Sequence, residues 1–303
     1  MTPHHLSGLA RLLSERYQLH EIELTDLGVL VNDVVAVVAA EGEFALKVYH
    51  RNRTQPAVQW EVDLLIHLHR RWAPVVPPIR GRHGYLEHFN VGGQPRAVVL
   101  FEWAPGAKPR PGYETYVLLG EAAARIHRAA DGFAASSDRE SYDAATLVDD
   151  QLRRMRPALL TAGQWRTVAA LGERLKVRLA AASLDWGICH MDLTLDNVHV
   201  ADGLTVFDFD SAGACWRAVE PYGVLRFSES YFQAWLAGYR SVRPFGLADE
   251  HAVAVFGIVA DLRVVAWKLG VAASSRGDPL LTVRDLPNVV DGWLEWEAAH
   301  LTD

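Results

Sequence analysis

Leucines at positions 6, 9, 12 and 13 recur at helical spacing among Arg11, Glu15 and Arg16, which predicts an amphipathic helix at the start of the chain. Residues 21–49 then read as strands. Val34–Ala40 is a β-branched run, Phe44–Tyr49 alternates, and Glu41-Gly42 between them is a turn signal. Counting outward from that turn pairs Ala40 with Glu43 and Ala36 with Lys47. A helix follows over Ala57–Trp72, with Val58, Val62, Leu65 and Leu68 near one face, and Pro74, Pro77 and Pro78 stop it. Tyr85–Phe89 and Arg96–Trp103 are further strands, the second continuously apolar over Ala97–Phe101. The Pro/Gly breaks at Pro105-Gly106 and Pro109–Gly112 mark a boundary. Beyond it the pattern is helical: Tyr113–Ala130, two helices within Leu147–Ala182, more from Ser228 to Gly270, and a last one over Val289–His300. The only strong strand signal in this half lies at residues 197–210. The pattern predicts a small β-rich lobe, residues 1–103, and a larger helical lobe, residues 104–303, that carries one hairpin.

Charge and composition narrow the partners. The 303 residues are half hydrophobic, enough for a large core. Residues 1–100 carry ten basic and ten acidic side chains, so the net charge of −7 lies entirely after residue 100. No basic patch marks a nucleic-acid footprint, and the acidic half suits a neutral or cationic partner better than a polyanion. Two cysteines, Cys189 and Cys215, without paired spacing argue against a disulfide framework or a thiolate zinc site. The longest apolar run, Val34–Ala40, is too short to span a bilayer, and no signal peptide is visible; the reading is a soluble, cytoplasmic protein with no membrane partner.

The chemistry concentrates between His190 and Asp210. Asp202-Gly203 is the dipeptide favoured by a two-residue type I′ turn, in which both central residues take positive φ. Counting outward pairs Val200 with Thr205 and Val198 with Phe207, and sets Asn197 opposite Asp208. Opposed residues share a face, which brings an amide oxygen and a carboxylate together. Hard oxygen ligands of this kind suit Mg²⁺ completed by phosphate and water. Asp192, five residues upstream in a loop with His190, is placed to accept a hydroxyl proton and align the oxygen for attack on a phosphoryl group. Each piece alone is more often ordinary: a solvated Asp-x-Asp loop, a packed histidine, a turn-capping asparagine. The joint spacing carries the reading.

His190-Met191-Asp192-x-x-x-x-Asn197 followed by Phe207-Asp208-Phe209-Asp210 resembles the H-G-D-x-x-x-x-N and apolar-D-F-D motifs of the aminoglycoside phosphotransferase/choline kinase family. The resemblance implies an α+β, protein-kinase-like two-lobed fold, with a small β-rich N-lobe for nucleotide and a larger, mostly helical C-lobe for catalysis and acceptor. It implies Asp192 as catalytic base, His190 as support of its loop, and Asn197 and Asp208 as magnesium ligands. Met191 stands where the family usually has glycine. Downstream, Arg217-Ala218-Val219-Glu220 stands where the family often has an R-x-Y-D-like stretch, so Glu220 is the candidate for that aspartate's bracing role. In the first lobe, Phe44–Tyr49 is similar to the family's lysine strand, making Lys47 the phosphate-binding lysine and Glu61 its helix partner. Gly28–Asn32 resembles the family's loose phosphate loop, with Asn32 as candidate. Val98–Phe101 leading into Glu102-Trp103-Ala104-Pro105-Gly106 resembles the hinge, where backbone near Glu102 and Trp103 should meet the purine. His127 reads as structural.

The implied activity is Mg²⁺-dependent transfer of the γ-phosphate of ATP, or of GTP, to a hydroxyl-bearing small molecule. Aminoglycosides, amino sugars, homoserine and amino alcohols are the implied acceptors. Tyr239–Pro244 is similar to a stretch of homoserine-kinase-like and stress-response kinases, so a Ser/Thr protein acceptor is the runner-up. A pseudokinase is disfavoured because lysine, base and metal ligands are all present. A metal-dependent hydrolase built on His190, Asp192, Asp208 and Asp210 is the remaining competitor, and it predicts no purine site.

Overall fold

The structure is a computed structural model that describes residues 2–28, 31–135, 139, 141–156, 161–181, 183–271 and 281–301. The chain forms two compact units: residues 1–110, 128–139 and 195–210 make the first, and residues 111–127, 140–194 and 211–303 the second.

The first unit opens with helix α1 (Pro3–Tyr17), capped by the Thr2 side chain and started by Pro3. A five-stranded antiparallel sheet follows: β1 (Glu23–Asp26), β2 (Asp33–Ala39), β3 (Gly42–Val48), β4 (Glu87–Val91) and β5 (Gln94–Glu102), in spatial order β1-β2-β3-β5-β4. Strand alternation decides what each face does. Val35, Val37, Leu46, Val48, Val98 and Leu100 turn to one side, where they form a core with Leu9 and Leu13 of α1. Val34, Ala45, Lys47 and Phe101 turn to the other side and line a cleft. Helix α2 (Gln55–Arg70), capped by Thr54, buries Val58, Val62, Leu65 and Leu68 as the periodicity requires, together with one charged residue, Glu61.

The hairpin between β2 and β3 turns at Ala40-Glu41, so Lys47 faces Val34 and Ala36 faces Ala45. The register differs from the expected one by two residues. An even slip leaves every side chain on its face, so Lys47 still points into the cleft.

The hairpin of β7 (Val198–Val200) and β8 (Leu204–Val206) also belongs to the first unit. Here the slip is one residue. Val200 pairs with Leu204 and Val198 with Val206, because the loop is Ala201-Asp202-Gly203 and neither Asp202 nor Gly203 takes the positive φ that a type I′ turn needs. Asn197 consequently faces Phe207, whose amide donates to the Asn197 carbonyl at 3.0 Å, and Asp208 lies one step beyond.

In the second unit, α3 (Tyr113–Ala130) begins the helical part, and a π-helical turn (Ala145–Asp149) runs into α4 (Asp150–Met155). Helix α5 (Ala162–Ala181) precedes strand β6 (Trp186–Cys189), which pairs antiparallel with β9 (Gly213–Trp216). This second strand pair was not expected. Its four-residue strands are too short for a periodicity signal. Helices α6 (Tyr222–Phe227), α7 (Glu229–Val242), α8 (Leu247–Val271) and α9 (Leu286–His300) complete the unit. Helix α8 is buried on all sides over residues 252–260, which explains its nearly unbroken apolar sequence there. No described helix is long and apolar enough to cross a membrane.

Helices α3 and α7 touch backbone to backbone at paired glycines. A Cβ on Gly120 would lie 2.0 Å from the Trp235 carbonyl oxygen, and one on Gly238 2.0 Å from that of Val117. Gly238→Ala is expected to destabilise by about 1–3 kcal/mol through overpacking. Gly203→Ala, with open space around it and no positive φ, should cost less than about 0.5 kcal/mol. Thermal melts of the two variants check both values. Equal losses would contradict the helix contact and the hairpin loop together.

Candidate active site

Within the first unit, Lys47 is the hub. It sits one residue from the end of β3, buried, with its ammonium 4.7 Å from the centre of the Tyr49 ring. The Nζ donates to Glu61 Oε1 at 3.1 Å and to Asp208 Oδ1 at 2.8 Å, and lies 3.5 Å from Asp210 Oδ1. Burial alone would push this lysine's pKa down, but Asp208 and Glu61 hold it well above the ordinary value, so it remains an ammonium. Glu61 is pushed up by burial despite Lys47, with Asp210 and Asp208 adding to the rise. The strand lysine and its helix carboxylate are thus brought together as expected.

Asp208 follows the β8 strand in left-handed backbone, φ +63°, a conformation aspartate tolerates better than most residues. That turn, not direct opposition across the hairpin, carries its carboxylate to the cleft that Asn197 also lines. Its Oδ2 has no protein partner among the described residues and its side chain is 40% exposed. A half-free carboxylate and an amide lining one open cleft are donors of the kind that suits Mg²⁺.

Asp210 is a different matter. Arg53 binds its Oδ2 at 2.7 Å, and both Arg53 and Arg139 donate to its carbonyl oxygen. Burial would raise its pKa, but Lys47 and Arg53 pull it to about 2. Arg139 in turn stacks over Trp60 at 4.8 Å. Neither arginine was singled out from the sequence, because Asp210 is 157 residues from Arg53 and 71 from Arg139 and no local pattern links them.

The cleft measures about 460 Å³, within the range of small-molecule sites. Lys47, Glu61, Glu102, Trp103, Asn197 and Asp208 all line it, as do His199 and Phe207, which sequence reasoning missed. The His199 ring lies 5.1 Å from Phe207 and 6.4 Å from Trp103, with Nδ1 against the Ala104 carbonyl at 3.0 Å. The Glu102 and Trp103 amides are already committed, to the Pro77 and Glu43 carbonyls at 3.2 Å each. These residues therefore have only their carbonyls and side chains left to offer a ligand in the cleft. Asn32 is buried and its amide oxygen accepts from the His50 amide at 2.9 Å, which ties down the end of β3. Of the expected loop Gly28–Asn32, residues 29 and 30 lie outside the described residues.

His190 and Asp192 belong to the second unit, in the loop after β6. Glu220, fully buried, accepts from the His190 amide and from the Met191 amide at 3.4 Å. Met191 has φ +68°, the left-handed region that favours glycine. The strain, about 1–2 kcal/mol, is comparable to what burying the methionine side chain returns. Behind Glu220 lies His127, with Nε2 3.6 Å from the carboxylate and Nδ1 2.8 Å from the Tyr239 hydroxyl. Burial would lower the His127 pKa, but its bonds to Cys189 and Glu220 raise it above the ordinary value. Burial would likewise raise Glu220, but His127 holds it below the usual carboxylate range. Arg217 donates to the His127 carbonyl at 3.3 Å and pairs with Asp185 at 3.1 Å, which also takes Arg243.

A sequence model of the phosphotransferase enzyme family matches residues 27–251. The chain belongs to this family. The phosphotransferase is 33% identical over 290 residues to an uncharacterised protein of Deinococcus radiodurans, covering 90% of this chain and 83% of that one. It is 30% identical to a homoserine kinase of Acidiphilium cryptum, covering 84% and 82%. Among solved structures it resembles an amicoumacin kinase in complex with AMP-PNP and Ca²⁺, with a TM-score of 0.78, 18% identity and coverage of 98% and 94%. A microcompartment-associated aminopropanol kinase gives 0.74, 22%, 96% and 94%. The fold is the kinase-like α+β fold, and the protein is a phosphotransferase with an alcohol group as acceptor.

The His127–Glu220 pair makes stability depend on pH. A histidine raised above its unfolded value of about 6.5 contributes fully below that pH, and the contribution is lost as pH rises through the higher folded value. The melting-temperature gap between the wild type and His127→Gln should be largest near about pH 5 and shrink toward about pH 9. A gap independent of pH would contradict the charged pairing.

Proposed function

We propose that the protein is an ATP-dependent kinase that moves the γ-phosphate to the hydroxyl of a small acceptor. Homoserine and amino alcohols come before aminoglycosides and amino sugars among the candidates. The observation that carries the nucleotide half is the buried Lys47 ammonium, held by Glu61 and Asp208 in a cleft rimmed by Glu102, Trp103 and His199. The acceptor preference rests on sequence relatives that are homoserine kinases and on the likeness to an aminopropanol kinase.

In this reading the Lys47 ammonium binds phosphate oxygens, and Glu61 keeps it pointing into the cleft rather than at the sheet. Trp103, His199 and Phe207 offer ring surface to the purine. Asn197 and Asp208 would hold Mg²⁺, which would neutralise phosphate charge there. Asp192 orients the acceptor hydroxyl and takes its proton. The hydroxyl oxygen forms the new bond to the γ-phosphorus, the bond from that phosphorus to the bridging oxygen breaks, and ADP leaves with the electron pair. Glu220, through the His190 and Met191 amides, fixes the loop that presents Asp192. The nucleotide is assigned to residues 1–103 with the 197–208 hairpin, and the acceptor to the rest of residues 104–303.

The test is a phosphotransfer screen over homoserine, amino alcohols, sugars, aminoglycosides and generic protein substrates, with and without EDTA. Asp192→Asn should lose about 10²–10⁴-fold in kcat for whichever acceptor is found, with nucleotide binding retained. Chelation should abolish transfer and Mg²⁺ restore it. Full activity in Asp192→Asn would remove the aspartate from the base role, and a protein acceptor preferred over every small molecule would replace the acceptor class.

A further inference from the structure

Beside the loop that bears Asp192, the second unit holds a cation with no part in the phosphoryl transfer described above. Arg263, on the half-buried part of helix α8, donates from Nη2 to the Met191 carbonyl at 2.5 Å. That carbonyl belongs to the peptide joining Met191 to Asp192, so the guanidinium sits one residue from the proposed base. Its plane lies over the Tyr142 ring, 5.7 Å from the centroid. A guanidinium has five N–H donors, and here one is used: Nε is buried without a hydrogen-bond partner, and among the described residues no carboxylate pairs with it.

The contrast with neighbouring arginines is informative. Arg217 and Arg243 pair with Asp185, Arg226 with Asp261 and Arg240 with Glu250. Arg263 alone of these five is left facing a backbone carbonyl and an aromatic ring. A half-buried, uncompensated cation is costly, and bracing one carbonyl needs only a neutral donor. Tyr222, the first residue of α6, shares this neighbourhood: its phenol lies in the fields of Arg263, Asp261, Asp192 and Arg226, and its hydroxyl has no hydrogen-bond partner among the described residues.

We propose that Arg263, with the Tyr222 hydroxyl beside it, holds a carboxylate of the acceptor, so that the substrate is a hydroxy acid of amino-acid size and not a polycation. A planar guanidinium that keeps one side-by-side pair of N–H donors free matches a carboxylate bidentately, and a phenol adds one donor. Holding the acceptor by its acid end next to Asp192 leaves its hydroxyl to reach the base. The inference rests on the kinase reading above and makes it narrower. It also reverses what the net charge of the second half suggested, because the charge that selects an acceptor is the local one.

The test compares two acceptors that differ only by the acid: L-homoserine and 3-aminopropan-1-ol. The wild type should favour homoserine in kcat/KM. Arg263→Gln should lower the ratio of the two kcat/KM values by about 10- to 100-fold, mainly through the homoserine KM, while any loss of loop bracing lowers kcat for both alike. Tyr222→Phe, which removes only an oxygen, should lower the ratio by about threefold or more. It serves as the second probe if Arg263→Gln folds poorly by circular dichroism. A ratio unchanged in both variants would reduce Arg263 to a brace on the Met191 carbonyl. A wild type that phosphorylates 3-aminopropan-1-ol and not homoserine would overturn the inference and leave the kinase reading standing. Transfer to no acceptor in the screen, with ATP bound, would overturn both.

Discussion

The cleft of the first unit depends on keeping one ammonium charged inside a sheet. Lys47 is buried between β2 and β5, and a lone cation there would lose its proton or tear the strand from the core. Glu61 and Asp208 prevent that by approaching within 3.1 and 2.8 Å. Each carboxylate needs its own explanation. Glu61 costs α2 a charged residue on its buried face, which an interior helix gives up only for such a pairing. Asp208 needs left-handed backbone to turn off the end of β8. Asp210, next along, is neutralised from the outside by Arg53 and Arg139. Three cations thus face three carboxylates, and of the three Asp208 is the most exposed, with an oxygen that no described residue occupies, whereas the spare oxygen of Glu61 is buried.

The loop bearing Asp192 is held by a different device with the same logic. Here the buried charge is a carboxylate, Glu220, and the group that stabilises it is His127 on α3. Glu220 reaches the loop through two backbone amides, so its grip does not depend on the side chains at 190 and 191. That explains how methionine stands where glycine is usual in the motif. The loop geometry is imposed from behind, and Met191 accepts φ +68° because its side chain is buried where it lands.

Much of this was legible in the sequence, for reasons that can be stated residue by residue. Lys47 and Glu61 were readable because strand and helix periodicities are strong there and an even slip of the hairpin does not move a face. Asn197 and Asp208 line one cleft, but not through the direct opposition that turn counting gave. The register is one residue away from direct opposition, and Asp208 reaches the cleft through a left-handed turn that no local pattern announces. The committed amides of Glu102 and Trp103 follow from pairing with Glu43 and Pro77, distant in sequence. The same holds for Arg53, Arg139 and Arg263: an arginine's partner is set by tertiary packing, and its own neighbourhood in the chain says nothing of it. The strand pair β6–β9 was invisible because four residues are too few to establish a period.

The central claim is that the free oxygen of Asp208, with Asn197, receives a metal ion that arrives with the nucleotide phosphates bound by Lys47. Calorimetric titration of a non-hydrolysable ATP analogue, with Mg²⁺ and with EDTA, tests it without any knowledge of the acceptor. The account predicts that Mg²⁺ tightens binding by about tenfold or more in the wild type and that Asp208→Asn loses most of that gain. Equal affinity with and without Mg²⁺, or an Asp208→Asn variant that retains the full enhancement, would contradict it.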